Sequence, residues 1–397
     1  MVSCSLRKAF AGAILLLLLL VPVTARGQKW VATWGASPYA AGTNTPPAPY
    51  LENNTLRQVV RVSIGGDTLR LKFSNVTSAT PVTLKAVTLA ALLEKGKSAV
   101  DDKSITKVAF GGKEEVTLAP FSEITSDPVA FRLTPGMHMA ISTWYGACKT
   151  APDMTHHYGS RADSYILTGN QSANPLFSEG VPIERWYHIQ GIEVLAPPSA
   201  LTVAVLGNSI TDGYGLHGGL MNRWTDILSE RLLSDSATAH IGVVNMGIGA
   251  TLLTTSGVSR FRKDILEQSG VGFAIVFYGV NDIGGGASAE KVIGALSTLI
   301  SRAREAGLPI FGVTITPFKG HGYYSPEHEA VRQDVNLWIR KPGNFDGCLD
   351  FDKALRDAAD TIRLRKEYSD DWLHPNAEGY RVLGESVDVR LFTEKNS

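Results

Sequence analysis

The chain is short of cysteine, of any charge excess and of long apolar stretches, and each shortage excludes something. Three cysteines in 397 residues cannot staple a disulfide scaffold. Cys4 precedes the apolar N-terminal run, where a lipid-modified cysteine would not lie. Of the two that remain, Cys348 opens the apolar run "CLDF", and free, buried thiols are expected for Cys148 and Cys348 rather than a bridge. Lys plus Arg equals Asp plus Glu at 38 each, so the chain offers no basic field for nucleic acid. Past the N-terminus no run is long and apolar enough to span a bilayer, and no stable membrane anchor is expected. His156, His157, His321 and His328 show no metal-ligand spacing, so no metal is expected and the His156-His157 pair reads as rim residues.

The one apolar run sits at the start. Arg7 and Lys8 precede "AFAGAILLLLLLVPV", and the small residues "VTA" at 23–25 suit cleavage. Residues 1–25 therefore read as a signal peptide, and the mature protein as secreted or periplasmic with a net charge of about −2.

What is present divides into two halves. In residues 28–195, "LRQVVRVSI", "TLRLKFSNV", "VTLKAVTLA", "EEVTLA", "VAFRL" and "HMAISTWYG" are strand-like and separated by turn residues. Such spacing predicts an all-β sandwich or jelly-roll-like domain. "APPS" at 196–199 is the expected junction, since paired prolines suit neither helix nor sheet interior. Residues 201–397 carry five apolar runs, at 201–206, 241–247, 273–279, 309–315 and 348–351, separated by segments of helical period. That alternation predicts a three-layer α/β/α domain with a five-stranded parallel, flavodoxin-like sheet.

In such a sheet the ligand site lies beyond the carboxyl ends of the strands. Four polar elements fall there. Ser209 in "GNSITDG" follows the first apolar run, and the glycine-rich "NMGIGAT" follows the second. Asn281 and Asp282 in "GVNDIGGG" follow the third, and "DDWLHPN" with Asp371 and His374 comes after the fifth. Acyl transfer needs these parts: a hydroxyl nucleophile (Ser209), a general base (His374) and a carboxylate that fixes the base's tautomer (Asp371). The oxyanion needs donors, which the Ser209 backbone, the loop at Gly249 and Ala250, and the Asn281 amide could supply. Asp370 could replace Asp371 only if the following helix began a residue earlier. Asp282 reads as a turn or cap residue. "GYGLHG" at 213–218 matches a dinucleotide-binding pattern, but Ser-Ile-Thr-Asp intervenes after the strand and the second strand ends in Asn245 with no acid for a ribose.

The four blocks resemble the GDSL, or SGNH, hydrolase family over residues 207–375. "WVATWGASPY", "LRQVVRVSIGG" and "LRLKFSN" further resemble a branch with an extra N-terminal β domain, grouped with rumen xylan-associated acyl esterases. The resemblance implies a serine esterase without a cofactor, acting on short acyl esters, chiefly acetyl, of a small molecule or polysaccharide. A lipid esterase of the same family and a catalytically inactive carbohydrate-binding protein are the alternatives. Two positions depart from the family pattern: Asn208 stands for the usual Asp, and Ala250 for the oxyanion glycine. The alanine keeps its N–H, so either Ala250 or Gly249 is the donor of that loop.

Overall fold

The computed structural model describes residues 27–393; the signal expected over residues 1–25 lies outside them. Alternation of apolar and polar residues builds the first region. In Val129–Leu133 the side chains of Val129, Phe131 and Leu133 are buried, whereas Ala130 and Arg132 are exposed, the period-two pattern of a half-covered strand. This strand joins an antiparallel sheet ordered Lys29–Gly35, Ile189–Ala196, Gly66–Ser74 and Glu123–Thr125. A seven-stranded antiparallel sheet has Asn54–Arg61 and His138–Tyr145 at its centre. Leu71, Phe73, Leu84, Leu89, Ile141 and Ile192 share one core between the two sheets. The result is an all-β domain.

The second region follows a different period. Its five parallel strands are ordered Ile241–Gly247, Leu201–Gly207, Val271–Phe277, Ile310–Val313 and Gly347–Leu349. Helices cover them as apolar stripes. Ala289–Glu305 buries Val292, Leu296, Leu299 and Ala303, spaced for one helical face, and the Ser288 side chain caps it by accepting from Lys291 N–H. Pro326 opens the helix Pro326–Arg340, where its missing N–H costs nothing. None of the helices among the described residues is long and apolar enough to cross a membrane.

Boundaries differ most from the sequence pattern at the last three strands; the fourth, Ile310–Val313, is shorter than its apolar run. The third begins two residues early, at Val271. The fifth stops at Leu349 because the Asp350 side chain accepts from Lys353 N–H and starts the helix Phe351–Leu355. Cys348 thus lies on an edge strand and is only half-buried, contrary to expectation, whereas Cys148 is buried; both are free thiols.

Strand order decides where a ligand can sit. The chain leaves the interior strand Leu201–Gly207 for one neighbour and then crosses to the other side for the third strand. The strand order reverses at the end of Leu201–Gly207, which opens a crevice beside Ser209. The sandwich meets this sheet directly. Ala32 N–H donates to Ser269 C=O (2.8 Å), Thr202 Oγ1 to Ala32 C=O (2.7 Å) and Ser37 Oγ to Asp264 (2.7 Å).

Candidate active site

Ser209 starts a single helical turn, Ser209–Asp212, rather than capping one. The cap is Asn208, whose side chain accepts from Ile210 N–H at 3.1 Å. Gly207 is required, because a Cβ there would stand 2.1 Å from Thr211 Oγ1. Gly213 closes the turn at φ +89°. Asn245, at the end of the second strand, donates to Thr211 C=O (2.6 Å) and Thr225 Oγ1 (2.9 Å), which ties the second-strand loop to this turn.

The segment after the fifth strand brings the base. Asp371 accepts from the backbone N–H groups of Leu373 (2.9 Å) and His374 (2.8 Å), the chain turning back through Trp372 in a left-handed conformation at φ +65°. Its other oxygen takes His374 Nδ1 at 2.7 Å, and His374 Nε2 lies 2.9 Å from Ser209 Oγ. A carboxylate can only accept, so Nδ1 carries the proton and Nε2 presents its lone pair to the hydroxyl. Asp370 takes no part in this geometry. Burial pushes the His374 pKa below 6.5 and outweighs the opposing pull of Asp371; His321 and Arg161 push the same way as burial. The carboxylate neighbour by itself would raise the value, and burial reverses the sign. For Asp371 burial acts upward, yet the hydrogen bonds from His374 and Leu373 hold the carboxyl below its ordinary value.

Opposite the imidazole lie unspent donors. The N–H groups of Ser209, Gly249 and Ala250 donate to no acceptor among the described residues. Gly249 lies against the nucleophile, with its vacant Cβ position 4.0 Å from Ser209 Cβ. Ala250 adopts φ +60°, the left-handed conformation that glycine takes without strain. The Asn281 amide gives one hydrogen to Thr251 C=O (2.9 Å) and keeps a second. Asp282 turns away and accepts from Leu253 N–H, Thr254 N–H and Thr254 Oγ1, so it anchors the loop after the second strand.

These residues line a cleft of about 600 Å³. Its walls also include Tyr39, Tyr158 and Arg161 from the β domain, and Tyr214, His321 and Tyr323 from the other. Tyr214 stacks on His374 with ring centroids 4.2 Å apart. Motif reading missed Asp212. It is buried and pairs with His157 Nε2 (3.0 Å) and Arg161 Nη2 (3.2 Å) across the domain boundary. The available signal was its place one turn after Ser209, where an acid must find partners once covered. His156 and His157 correct an expectation, since they are buried core residues rather than rim residues. Their Nδ1 atoms bond Tyr39 C=O (3.0 Å) and Ser37 C=O (2.9 Å). The described residues contain no group of three or more His, Cys, Asp or Glu placed to hold a metal ion. After Gly218 the "GYGLHG" segment runs on to Trp224 before a helix starts, so its glycines do not open a helix.

No curated protein matches the chain. Similar solved structures include a member of the lipolytic protein G-D-S-L family from Veillonella parvula, 20% identical, covering 47% of this chain and 96% of that one with a TM-score of 0.39. A GDSL-like lipase from Bacteroides thetaiotaomicron is 18% identical, with 48% and 87% covered and a TM-score of 0.37. A variant of an acetyl xylan esterase from Geobacillus stearothermophilus is 20% identical, with 47% and 93% covered and a TM-score of 0.39. By sequence, residues 205–382, which hold the whole Ser209 site, match the model of the GDSL-like lipase/acylhydrolase family.

Proposed function

We propose that the protein is an exported serine esterase that hydrolyses short acyl esters, chiefly acetyl, on carbohydrate. The observation that carries the reading is the relay Asp371–His374–Ser209 at 2.7 and 2.9 Å, facing free N–H groups. Ser209 Oγ attacks the ester carbonyl as His374 Nε2 takes its proton. Asp371 supports the imidazolium that forms, and His374 then protonates the leaving alcohol. Water repeats the cycle on the acyl-enzyme. The oxyanion is held by the N–H groups of Ser209 and of Ala250 or Gly249, and by the free hydrogen of the Asn281 amide. No cofactor enters any of these steps.

The cleft lining supports a sugar ester over a lipid. Its side chains are tyrosines, histidines, asparagines and an arginine, with Leu373 the one large aliphatic residue among them. Planar hydroxylated rings suit sugar faces and hydroxyls, whereas a long acyl chain needs a continuous apolar tunnel. Export rests on the leader reading of residues 1–25. The test is a serine-reactive phosphonate probe followed by a nitrophenyl ester series. Labelling at Ser209, with kcat/KM greatest from acetyl to butyryl and falling steeply by octanoyl, is expected, together with acetate release from acetylated xylan. A rate that climbs through decanoyl without acetate release would move the assignment to a lipid esterase. Failure of the probe to label would leave a carbohydrate-binding protein.

A further inference from the structure

Among the described residues lining the cleft, Arg161 alone carries a fixed charge, and the proposed chemistry does not use it. It comes from the β domain and is 6% exposed, on a backbone held at φ +52°. Buried arginines ordinarily saturate their five N–H groups. This one does not. Nη2 bonds Asp212 at 3.2 Å, Nε is sealed from solvent without a partner, and Nη1 makes no hydrogen bond among the described residues.

Asp212 does not fully cancel the charge. Its second oxygen faces His157 Nε2 at 3.0 Å, while His157 Nδ1 faces Ser37 C=O at 2.9 Å. The carboxylate is thus shared between His157 and Arg161. The guanidinium carbon stands 5.9 Å from the Tyr158 ring centre and 5.7 Å from that of Tyr214. Both rings are open to solvent, at 41% and 47% exposure. Tyr214 also stacks on His374, so a group docked at Arg161 lies beside the reacting centre. Beyond these tyrosines a second compartment of about 430 Å³ continues the groove, lined also by Glu184, Arg185 and His217. There Arg185 has an Nε without a partner among the described residues; Glu184 has one oxygen beside His217 at 3.3 Å and the other, Oε1, equally without a partner. The extended groove therefore presents two arginines with spare donors and a single carboxylate, Glu184, which lies in the outer compartment and not in the cleft lining around Ser209.

We infer that Arg161 is a specificity-determining residue that binds the carboxylate of a uronate sugar next to the ester-bearing one, so that the favoured substrates are O-acylated acidic glycans. The inference rests on the esterase reading above. A carboxylate is planar and matches a guanidinium edge, and a desolvated arginine with spare donors gains most from an anion that replaces its lost water. The two open tyrosine rings bracket the sugar that carries it.

The test pairs acetylated oligosaccharides of equal length, with and without uronate residues. Wild type is expected to favour the acidic ester by about tenfold or more in kcat/KM. Arg161→Gln should bring that ratio to within about twofold of one, and Arg161→Lys, which keeps the charge and a partner for Asp212, should lose most of it. Binding is measured separately, by calorimetry with deacetylated oligosaccharides on Ser209→Ala and on Ser209→Ala with Arg161→Gln. Tighter binding of the acidic oligosaccharide that vanishes with Arg161 supports the inference, even if no ester is cleaved and the esterase reading falls. Equal use of both esters by wild type, an unchanged ratio in Arg161→Gln, equal loss on both substrates, or full preference in Arg161→Lys would overturn it.

Discussion

The two domains treat polar groups in opposite ways where they meet at the cleft. The parallel-sheet domain leaves its groups unspent: the N–H groups of Gly249 and Ala250 have no acceptor among the described residues, and the Asn281 amide keeps one hydrogen. The β domain brings His157, which is saturated on Ser37 and Asp212. A satisfied polar group stabilises geometry, whereas an unsatisfied one stabilises whatever charge arrives. The pattern of spare donors therefore separates the reacting side from its scaffold, and Arg161 and Arg185 are β-domain groups that fall on the unspent side of that line.

The sharpest way to test the division is to remove its reacting side. Ser209→Ala or His374→Ala is expected to lower kcat on nitrophenyl acetate by on the order of a thousandfold or more, with the double variant barely worse than either single. Denaturant unfolding of Ser209→Ala should stay within about 0.5 kcal/mol of wild type. Asp212→Ala attacks the scaffold instead. It strands His157 and Arg161 in a buried seam and should cost about 3–5 kcal/mol in the same unfolding experiment. If Asp212→Ala unfolds like wild type, the seam is not a scaffold.

Asn281→Ala returns to the reacting side at a smaller scale. It should remove roughly 3 kcal/mol of transition-state stabilisation, seen in kcat with KM nearly constant. A change confined to KM would make Asn281 a substrate-binding residue. The pH profile comes next. Only neutral His374 can accept the serine proton, so activity should fall as pH drops through its ionisation, which burial places below 6.5. Asp371 pulls that value upward, so Asp371→Asn should move the acidic limb to lower pH while also lowering kcat. A limb that moves to higher pH would contradict the pairing. The smallest effect concerns Ala250. Glycine relieves a left-handed alanine, and Ala250→Gly should add about 0.5–1 kcal/mol of stability in denaturant unfolding.

The period of apolar residues carried most of the fold. Continuous runs such as "LTVAVL" announce a strand covered on both faces, and the helix stripe of Ala289–Glu305 is equally plain. The short strands Glu123–Thr125 and Val181–Ile183 were not read, since three residues hold too little alternation to stand out. Co-location at strand ends was readable because parallel topology forces it. Tyr214 and Asp212 were not, because each acts through a contact between segments far apart in sequence, and no local pattern encodes a neighbour 51 residues away such as Arg161 is to Asp212. His156 and His157 misled for the same reason, since their acceptors lie about 120 positions earlier.

The strand Lys29–Gly35 bears on how the molecule is made. It pairs along its length with Ile189–Ala196, so its proper neighbour is the last strand of the sandwich to leave the ribosome. Until that moment the segment carries apolar residues such as Val31 and Trp34 with nothing to cover them. Closing so long a loop is slow, and an unpaired strand is a template for wrong pairing. Ala32 must then also find Ser269 in the second domain. Assembly of the sandwich and of the seam is thus deferred to the second half of synthesis, and a shortened N-terminus would expose the edge of Ile189–Ala196 in every molecule produced.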